Sequence, residues 1–105
     1  MAPADACFTI EQYNARHFRE PGEHLDPGKC LRELSAAAAE DVRRRVGALR
    51  ASATHWGRRY WEKKSTARAE RDIDSEIIAE MAAAHPGFSP ESLTANYHTG
   101  IMLAR

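Results

Sequence analysis

The sequence of 105 residues contains few large apolar side chains and carries no net charge. Leu, Ile, Val and Phe number sixteen together, while nineteen alanines supply much of the 43% apolar content. Such a composition indicates disorder when net charge is high, but here fifteen basic residues balance fifteen acidic ones. The length fits one domain and excludes a doubly wound dinucleotide-binding fold or a β/α barrel. We therefore predict one domain, residues 1–105, with a thin core.

Long apolar runs are also lacking. The alanine run at residues 36–39 is far shorter than the roughly 18–20 apolar residues that span a bilayer. Residues 1–5 lack the basic start and apolar core of a secretory signal. We therefore expect a cytoplasmic protein without a membrane role, and the excess of Arg over Lys together with the many alanines suggests a bacterial gene.

Cysteine is scarce, with two residues in the chain. Cys7 and Cys30 are too few for a disulfide framework and too far apart in sequence for a zinc or redox motif. We interpret both as small apolar side chains in a reducing compartment.

Motifs for catalysis and for metal binding are lacking as well. The five histidines show no pair at the i, i+4 spacing of a helical metal site, and there is no Gly-rich phosphate loop or nucleophile elbow. The acids of residues 72–76 faintly resemble a calcium loop, but Ile77 and Ala83 stand where glycine and the closing acid belong. We predict no catalytic, cofactor-binding or metal-binding residues, leaving open a composite active site between subunits.

Helix signals begin near the N-terminus. Thr9 and Gln12 have capping-box spacing, which predicts a short helix over residues 10–19. Asp26 as cap and Pro27 as first helical residue predict a second start, followed by a long helix over residues 27–64. An apolar stripe continues along this helix through Leu31, Leu34, Ala38, Val42, Val46, Leu49, Ala53, Trp56 and Tyr60.

The stripe is narrow and rich in small residues, as in paired helices, so a partner helix is expected. A continuous helix over residues 27–64 would be roughly 57 Å long, whereas a compact domain of this size measures roughly 30–35 Å across. Either the helix breaks, with Gly47 and Gly57 as the weakest positions, or it pairs with another chain. We favour pairing, and hence a homo-oligomer.

Two shorter helices are predicted in the C-terminal third. The acids of residues 72–76 suit a first helical turn after a cap at Ser65 or Thr66, and this helix ends near Ala84, before the His-Pro-Gly of residues 85–87. Ser89 and Pro90 then begin the last helix. The predicted core face of the first of these two helices consists of Ile73, Ile77, Ile78, Met81 and Ala84. That of the last helix consists of Leu93, Tyr97, Ile101 and Ala104. The predicted fold is thus all-α: a short N-terminal helix, one long central helix and two C-terminal helices, completed as an intersubunit helical bundle.

Charge is distributed unevenly along the neutral chain. Acidic N-terminal and C-terminal segments flank a basic middle, residues 43–71, which we call the basic band. The band consists of Arg43, Arg44, Arg45, Arg50, Arg58, Arg59, Lys63, Lys64, Arg68 and Arg71, interleaved with Trp56, Tyr60 and Trp61. Arginines on phosphates with aromatic rings on bases would suit a nucleic acid. The bases spread around the helix, however, so we favour solvation or pairing with the acidic segments as their explanation.

A helix, a turn at Gly87 and a capped second helix also outline a helix-turn-helix. With the apolar face buried, Ser92, Asn96 and Thr99 would face outward, and Asn96 could read adenine. The net acidic charge of this region opposes that reading.

The sequence favours a helical protein–protein interaction module, a regulatory or accessory protein without autonomous catalysis. Trp, Tyr and Arg dominate interface energetics, so the predicted contact residues are Arg43, Arg44, Arg50, Trp56, Arg58, Arg59, Tyr60, Trp61, Lys63 and Lys64. The alternative is a nucleic-acid-binding protein that uses the same Arg-rich segment, residues 43–71. No cofactor is expected.

Overall fold

A computed structural model describes residues 1–66 and 71–105, and within these ranges the chain is all-α, as predicted. The five α-helices are α1 (Pro3–Arg16), α2 (Ala36–Ala51), α3 (Ala53–Thr66), α4 (Ile73–Ala84) and α5 (Pro90–Leu103), with short 3₁₀ helices at Pro21–Glu23 and Pro27–Leu31. None of the described helices is long and apolar enough to cross a membrane.

The chain divides into two compact units, unit 1 (Met1–Gly47) and unit 2 (Ala48–Arg105). The N-terminal helix of unit 1 begins earlier than predicted. Pro3 occupies the first turn of α1, where its missing N–H costs nothing. Thr9 therefore lies inside the helix, and its hydroxyl donates to the Asp5 carbonyl at 2.8 Å instead of capping. The predicted start at residue 10 was wrong because the true N-cap, Ala2, makes no side-chain bond that the sequence could signal.

Asp26 does cap a helix, but a 3₁₀ helix. Its carboxylate accepts from the Gly28 amide at 2.9 Å, and the 3₁₀ helix ends at Leu31. Helix α2 begins at Ala36, where the Ser35 hydroxyl accepts from the Ala38 amide at 3.1 Å. The single long helix expected from residue 27 therefore starts nine residues later, because Ser35 provides a second cap.

The predicted long helix is interrupted a second time at Ser52, between α2 and α3. The sequence had indicated Gly47 or Gly57 as the place of a break. The Leu49 carbonyl accepts from the Ser52 amide at 3.1 Å, from the Ser52 hydroxyl at 2.6 Å and from Asn96 Nδ2 at 3.0 Å. A serine hydroxyl that competes for a helical carbonyl disturbs regular helix geometry. Gly47 and Gly57 both lie within continuous helix.

Unit 2 is built from α3, α4 and α5, with the last turn of α2. Contacts between α3 and α5 advance together along both helices, from Ala53 and Gly57 against Gly100 to Trp61 against Ile101, so these two helices run in the same direction. Helix α4 runs antiparallel to α3, since Arg59 meets Glu80 and Lys63 meets Glu76. The partner helix that the narrow stripe predicted is thus present for α3 within the same chain.

The closest approach in unit 2 is between two glycines. A β-carbon at Gly57 would lie 1.9 Å from the Gly100 carbonyl oxygen, and one at Gly100 would lie 1.9 Å from the Ala53 carbonyl oxygen. Only glycine at both positions allows the backbones of α3 and α5 to come this close.

The predicted end of α4 and the predicted start of α5 are confirmed, but the predicted cap of α4 is wrong. Asp72 caps α4 by accepting from the Ser75 amide at 3.1 Å, whereas Ser65 and Thr66, predicted as caps, lie in the last turn of α3. The hydroxyl of Ser89 caps α5, and Gly87 adopts a φ of 92° in the turn between the two helices. The buried side chains of α4 and α5 are Ile77, Met81, Ser92, Leu93, Asn96 and Tyr97.

The environment of Asn96 contradicts the helix-turn-helix hypothesis, which required this side chain to face outward. Its side chain is 1% exposed and donates to the Leu49 carbonyl, so it has no access to a base. Ser92 is buried as well. Helix α5 packs on α3 and on α4, and two packed sides leave no outward face for these residues.

Candidate interaction surface

In unit 1 the basic band contributes Arg43, Arg44 and Arg45. Arg43 and Arg44 are exposed. Arg44 pairs with Asp41, and Arg45 Nη1 lies 3.8 Å from the same carboxylate. Ion pairs one turn apart on an exposed helix contribute a few tenths of a kcal/mol. The three arginines therefore lie on a largely solvated part of α2, next to the carboxylate of Asp41.

In unit 2 three cations of the band pair with acids of α4. Arg59 Nη2 lies 2.7 Å from Glu80 Oε1, and Lys63 Nζ lies 3.4 Å from Glu76 Oε1. Arg71 binds Glu76 with both Nε and Nη2 at 2.7 Å. The uneven charge along the sequence is thus compensated, in part, between α3 and α4.

This ion-pair network alters the titration of its members. The bidentate hydrogen bonds from Arg71, aided by Lys63, lower the pKa of Glu76 to about 2. The same contact raises the pKa of Arg71. The Oε2 atom of Glu80 is buried and has no hydrogen-bond partner among the described residues. The network therefore holds α3 against α4. A phosphate could bind its cations only by displacing the carboxylates of Glu76 and Glu80.

The three aromatic residues of the band have different roles. Trp56 is 7% exposed, with its indole N–H donating to the Ser52 hydroxyl at 3.0 Å, so it belongs to the core. Tyr60 is partly buried and packs edge-on against Tyr97, with ring centroids 6.1 Å apart. Trp61 is the most exposed of the three, at 37%, and the burial of Trp56 interrupts the row of stacking rings expected from the sequence.

Trp61 lies beside the C-terminal end of α5, where Met102 and Leu103 are exposed and Ile101 is partly buried. Its indole N–H donates to the Ile101 carbonyl at 3.2 Å, which places the ring at the C-terminal end of α5. Exposed fractions are 37% for Trp61, 68% for Met102 and 66% for Leu103. We call Trp61, Ile101, Met102 and Leu103 the Trp61 surface. Sequence reasoning named Trp61 but missed the three α5 residues, because only the parallel packing of α3 and α5 brings them together.

Cations border the Trp61 surface. Arg58 and Lys64 lie one turn before and one turn after Trp61 on α3, and both are exposed. Within residues 1–66 and 71–105 no carboxylate pairs with either, in contrast to Arg59 and Lys63 between them. The exposed Arg105 follows α5 at the same end. Of the remaining band residues, Arg50 is partly buried, and Arg68 lies outside the described residues.

A separate groove lies between α4 and α5. Its volume is about 400 Å³, and its walls are largely apolar, formed by Ile78, Ala82, Phe88 and Leu93 among others. Asp74 is the ionisable group among its described lining residues. That carboxylate accepts the hydroxyl of Tyr97 at 2.6 Å, and burial together with this bond raises the pKa of Tyr97.

No cluster of three or more His, Cys, Asp or Glu side chains suited to a metal ion occurs in the described part of the chain. Comparison with protein families, with curated proteins and with solved structures finds no match to this chain.

Proposed function

We propose that this protein is a small helical interaction module, a regulatory or accessory protein, that binds an amphipathic segment of a partner protein on the Trp61 surface. The observation that carries the proposal is the exposed Trp61 of α3 beside the exposed Met102 and Leu103 at the end of α5, with the neighbouring cations Arg58 and Lys64 unpaired with any described carboxylate. We also retain the expectations of a homo-oligomer, a cytoplasmic location and a bacterial source as proposals.

The Trp61 surface suits a protein contact for two reasons. A large indole beside aliphatic side chains offers the kind of anchor that dominates binding energy at interfaces. The hydrogen bond from the indole to Ile101 holds the ring in place, so less side-chain entropy is lost when a partner binds.

The chemistry of the border selects the partner. Arg58, Lys64 and Arg105 are exposed cations within a few residues of Trp61 or Leu103 along the chain, so a partner segment with carboxylates beside its apolar face gains complementary contacts. We therefore propose an acidic amphipathic helix with apolar side chains at i, i+3, i+4 and i+7.

A nucleic acid is the alternative occupant of the basic band. Arg59, Lys63 and Arg71 are already paired with Glu76 and Glu80, and a phosphate would have to break those pairs. Trp56 is buried and cannot stack on a base. The band therefore offers a nucleic acid fewer unpaired cations than the sequence predicted and only one exposed aromatic side chain among the described residues. Both observations favour the protein partner.

The test uses two fluorescently labelled helical peptides of equal length with the same apolar positions, one with Glu and one with Lys at the polar positions. Anisotropy is measured against the full chain at low and moderate salt, with single-stranded DNA as a third probe. We expect the Glu peptide to bind, with affinity that falls as salt rises. Failure of the Glu peptide to bind, or stronger binding of the Lys peptide or of DNA, would overturn the proposal.

Variants locate the contact. Trp61→Ala should weaken Glu-peptide binding at least about tenfold, and Lys64→Glu should weaken it while leaving the apolar centre intact. Phe18→Ala is the matched control, because Phe18 is an exposed aromatic residue of unit 1, outside the Trp61 surface. Equal losses in Phe18→Ala and Trp61→Ala would mean that the peptide binds nonspecifically. Far-UV circular dichroism of each variant confirms that the helices persist.

A further inference from the structure

Unit 1 brings together the two cysteines that the sequence places on separate elements. Cys7 lies on α1 and Cys30 on the 3₁₀ helix Pro27–Leu31, and these two elements pack against each other. This packing brings the thiol of Cys30 close enough to that of Cys7 to raise the pKa of Cys7, and both thiols are free. The interpretation of two unrelated apolar side chains misses this approach, because 22 residues separate them in the chain.

The approach is fixed by neighbouring contacts. The Asn14 side chain of α1 donates to the Leu25 carbonyl at 2.9 Å and accepts from the Leu25 amide at 2.8 Å. This pair of hydrogen bonds holds the loop before the 3₁₀ helix against α1. Cys30 Sγ in turn donates to the Pro27 carbonyl at 3.2 Å. The positions of both cysteines are thus set by the local fold of unit 1.

The two thiols differ in access and in acidity. Cys7 is 1% exposed, and burial, with the neighbouring Cys30 and Glu11, raises the pKa of its thiol to about 12. Cys30 is partly buried and so reaches solvent. Because attack on an oxidant requires an accessible thiolate, Cys30 is the thiol that reacts first with a dissolved oxidant.

The geometry points to an oxidisable pair in which a peroxide reacts at Cys30 and Cys7 then closes an intramolecular disulfide. The Cys30 sulfur attacks one peroxide oxygen, the O–O bond breaks, and a sulfenic acid forms while the other oxygen leaves as water or an alcohol. The Cys7 sulfur attacks the sulfenic sulfur, the S–O bond breaks, and the oxygen leaves as water with the Cys7 proton. Two thiols are oxidised and one peroxide is reduced by two electrons.

The disulfide would connect α1 to the 3₁₀ helix that follows the loop held by Asn14, so the reaction adds a covalent bond to existing packing. Reduction by a dithiol reverses it. The raised pKa of Cys7 lowers the thiolate fraction available for the second step and so slows the closure of the disulfide.

The test treats the reduced full chain with hydrogen peroxide, blocks remaining thiols with N-ethylmaleimide in denaturant, and digests with trypsin. Cleavage after Arg16, Lys29 and Arg32 releases peptides 1–16 and 30–32, each with one cysteine. We expect these peptides to be joined, two hydrogen atoms lighter than their sum, and separated by dithiothreitol. Maleimide on both peptides, a sulfinic acid on Cys30 with Cys7 unlinked, or a disulfide between two Cys30 peptides would overturn the proposal.

Two variants and one condition test the order of events and the role of proximity. Cys7→Ser should leave a Cys30 sulfenic acid that dimedone traps, and Cys30→Ser should leave Cys7 unoxidised at the same peroxide dose. Oxidation of Cys7 in Cys30→Ser at the wild-type rate would refute the order. Linkage that forms as fast in denaturant as in buffer would show that the folded approach of the two thiols plays no part.

Discussion

Replacing Gly57 with alanine tests the closest contact in unit 2. The new β-carbon would lie 1.9 Å from the Gly100 carbonyl oxygen and 2.8 Å from the Ile101 amide nitrogen. Both atoms belong to the backbone of α5, so no side chain can rotate away. Restoring an ordinary contact of about 3.4 Å would require the two helices to separate by roughly 1.5 Å.

The expected cost follows from three contributions. Overpacking of this kind costs about 1–3 kcal/mol. Separation of the helices also stretches the hydrogen bond from Asn96 to Leu49, now 3.0 Å, which contributes about 1 kcal/mol. Alanine returns about 1 kcal/mol through its higher helix propensity. We therefore expect Gly57→Ala to lower the free energy of unfolding by about 1–3 kcal/mol.

Gly47→Ala is the matched control, since Gly47 lies within α2 and a β-carbon there would meet no atom within 4 Å. The same substitution should raise the free energy of unfolding by about 0.5–1 kcal/mol, because helix propensity acts without a clash. Urea unfolding followed by far-UV circular dichroism measures both variants. The reasoning is refuted if Gly57→Ala is as stable as the wild type, or if both variants shift stability in the same direction.

Three further predictions concern polar contacts of unit 2. The pKa of Glu76 is lowered from 4.5 to about 2, so its contribution to stability is present above pH 4.5 and is lost as the pH falls towards 2; acid titration of Glu76→Gln should show a shallower loss over that window, and an unchanged slope would contradict this. Tyr97→Phe removes the 2.6 Å hydrogen bond to Asp74 and should cost about 1–2 kcal/mol in urea unfolding, whereas no change would mean that water replaces the bond. Asn96→Ala removes a donor from the Leu49 carbonyl and should cost about 1–3 kcal/mol by the same assay, and a neutral effect would show that this bond contributes little.

Local signals predicted the second half of the fold well. Ser89 and Pro90 mark the start of α5, and the His-Pro-Gly of residues 85–87 marks the end of α4. Each of these signals acts within about four residues, because a cap side chain bonds an amide two or three positions away. Sequence reading therefore works where the structure is decided locally.

The N-terminal half of the fold shows that a local capping signal can be misleading. Thr9 and Gln12 have capping-box spacing, yet α1 starts at Pro3, where no side chain caps the helix. A good capping pattern inside a longer helix cannot be distinguished from a true start without the packing that buries the residues before it. Ala4, Cys7 and Phe8 supply that packing.

Contacts between distant elements were beyond the sequence. The approach of Gly57 to Gly100, the meeting of Trp61 with the end of α5, and the pairing of Cys7 with Cys30 each join residues more than twenty positions apart. Periodicity gives the face of a helix but not its partner. The candidate surface was therefore half predicted, through Trp61, Arg58 and Lys64, and half revealed by helix packing.

The parallel alignment of α3 and α5 has a consequence for synthesis in the cell. A ribosome makes α3, then α4 and then α5, so the glycine face of α3 waits for its partner until a further forty or so residues have emerged. Until then Gly57 exposes backbone beside the core residues Ala53 and Trp56. Closure of unit 2 is thus a late event, and the nascent chain presents an uncovered apolar face to chaperones for that interval.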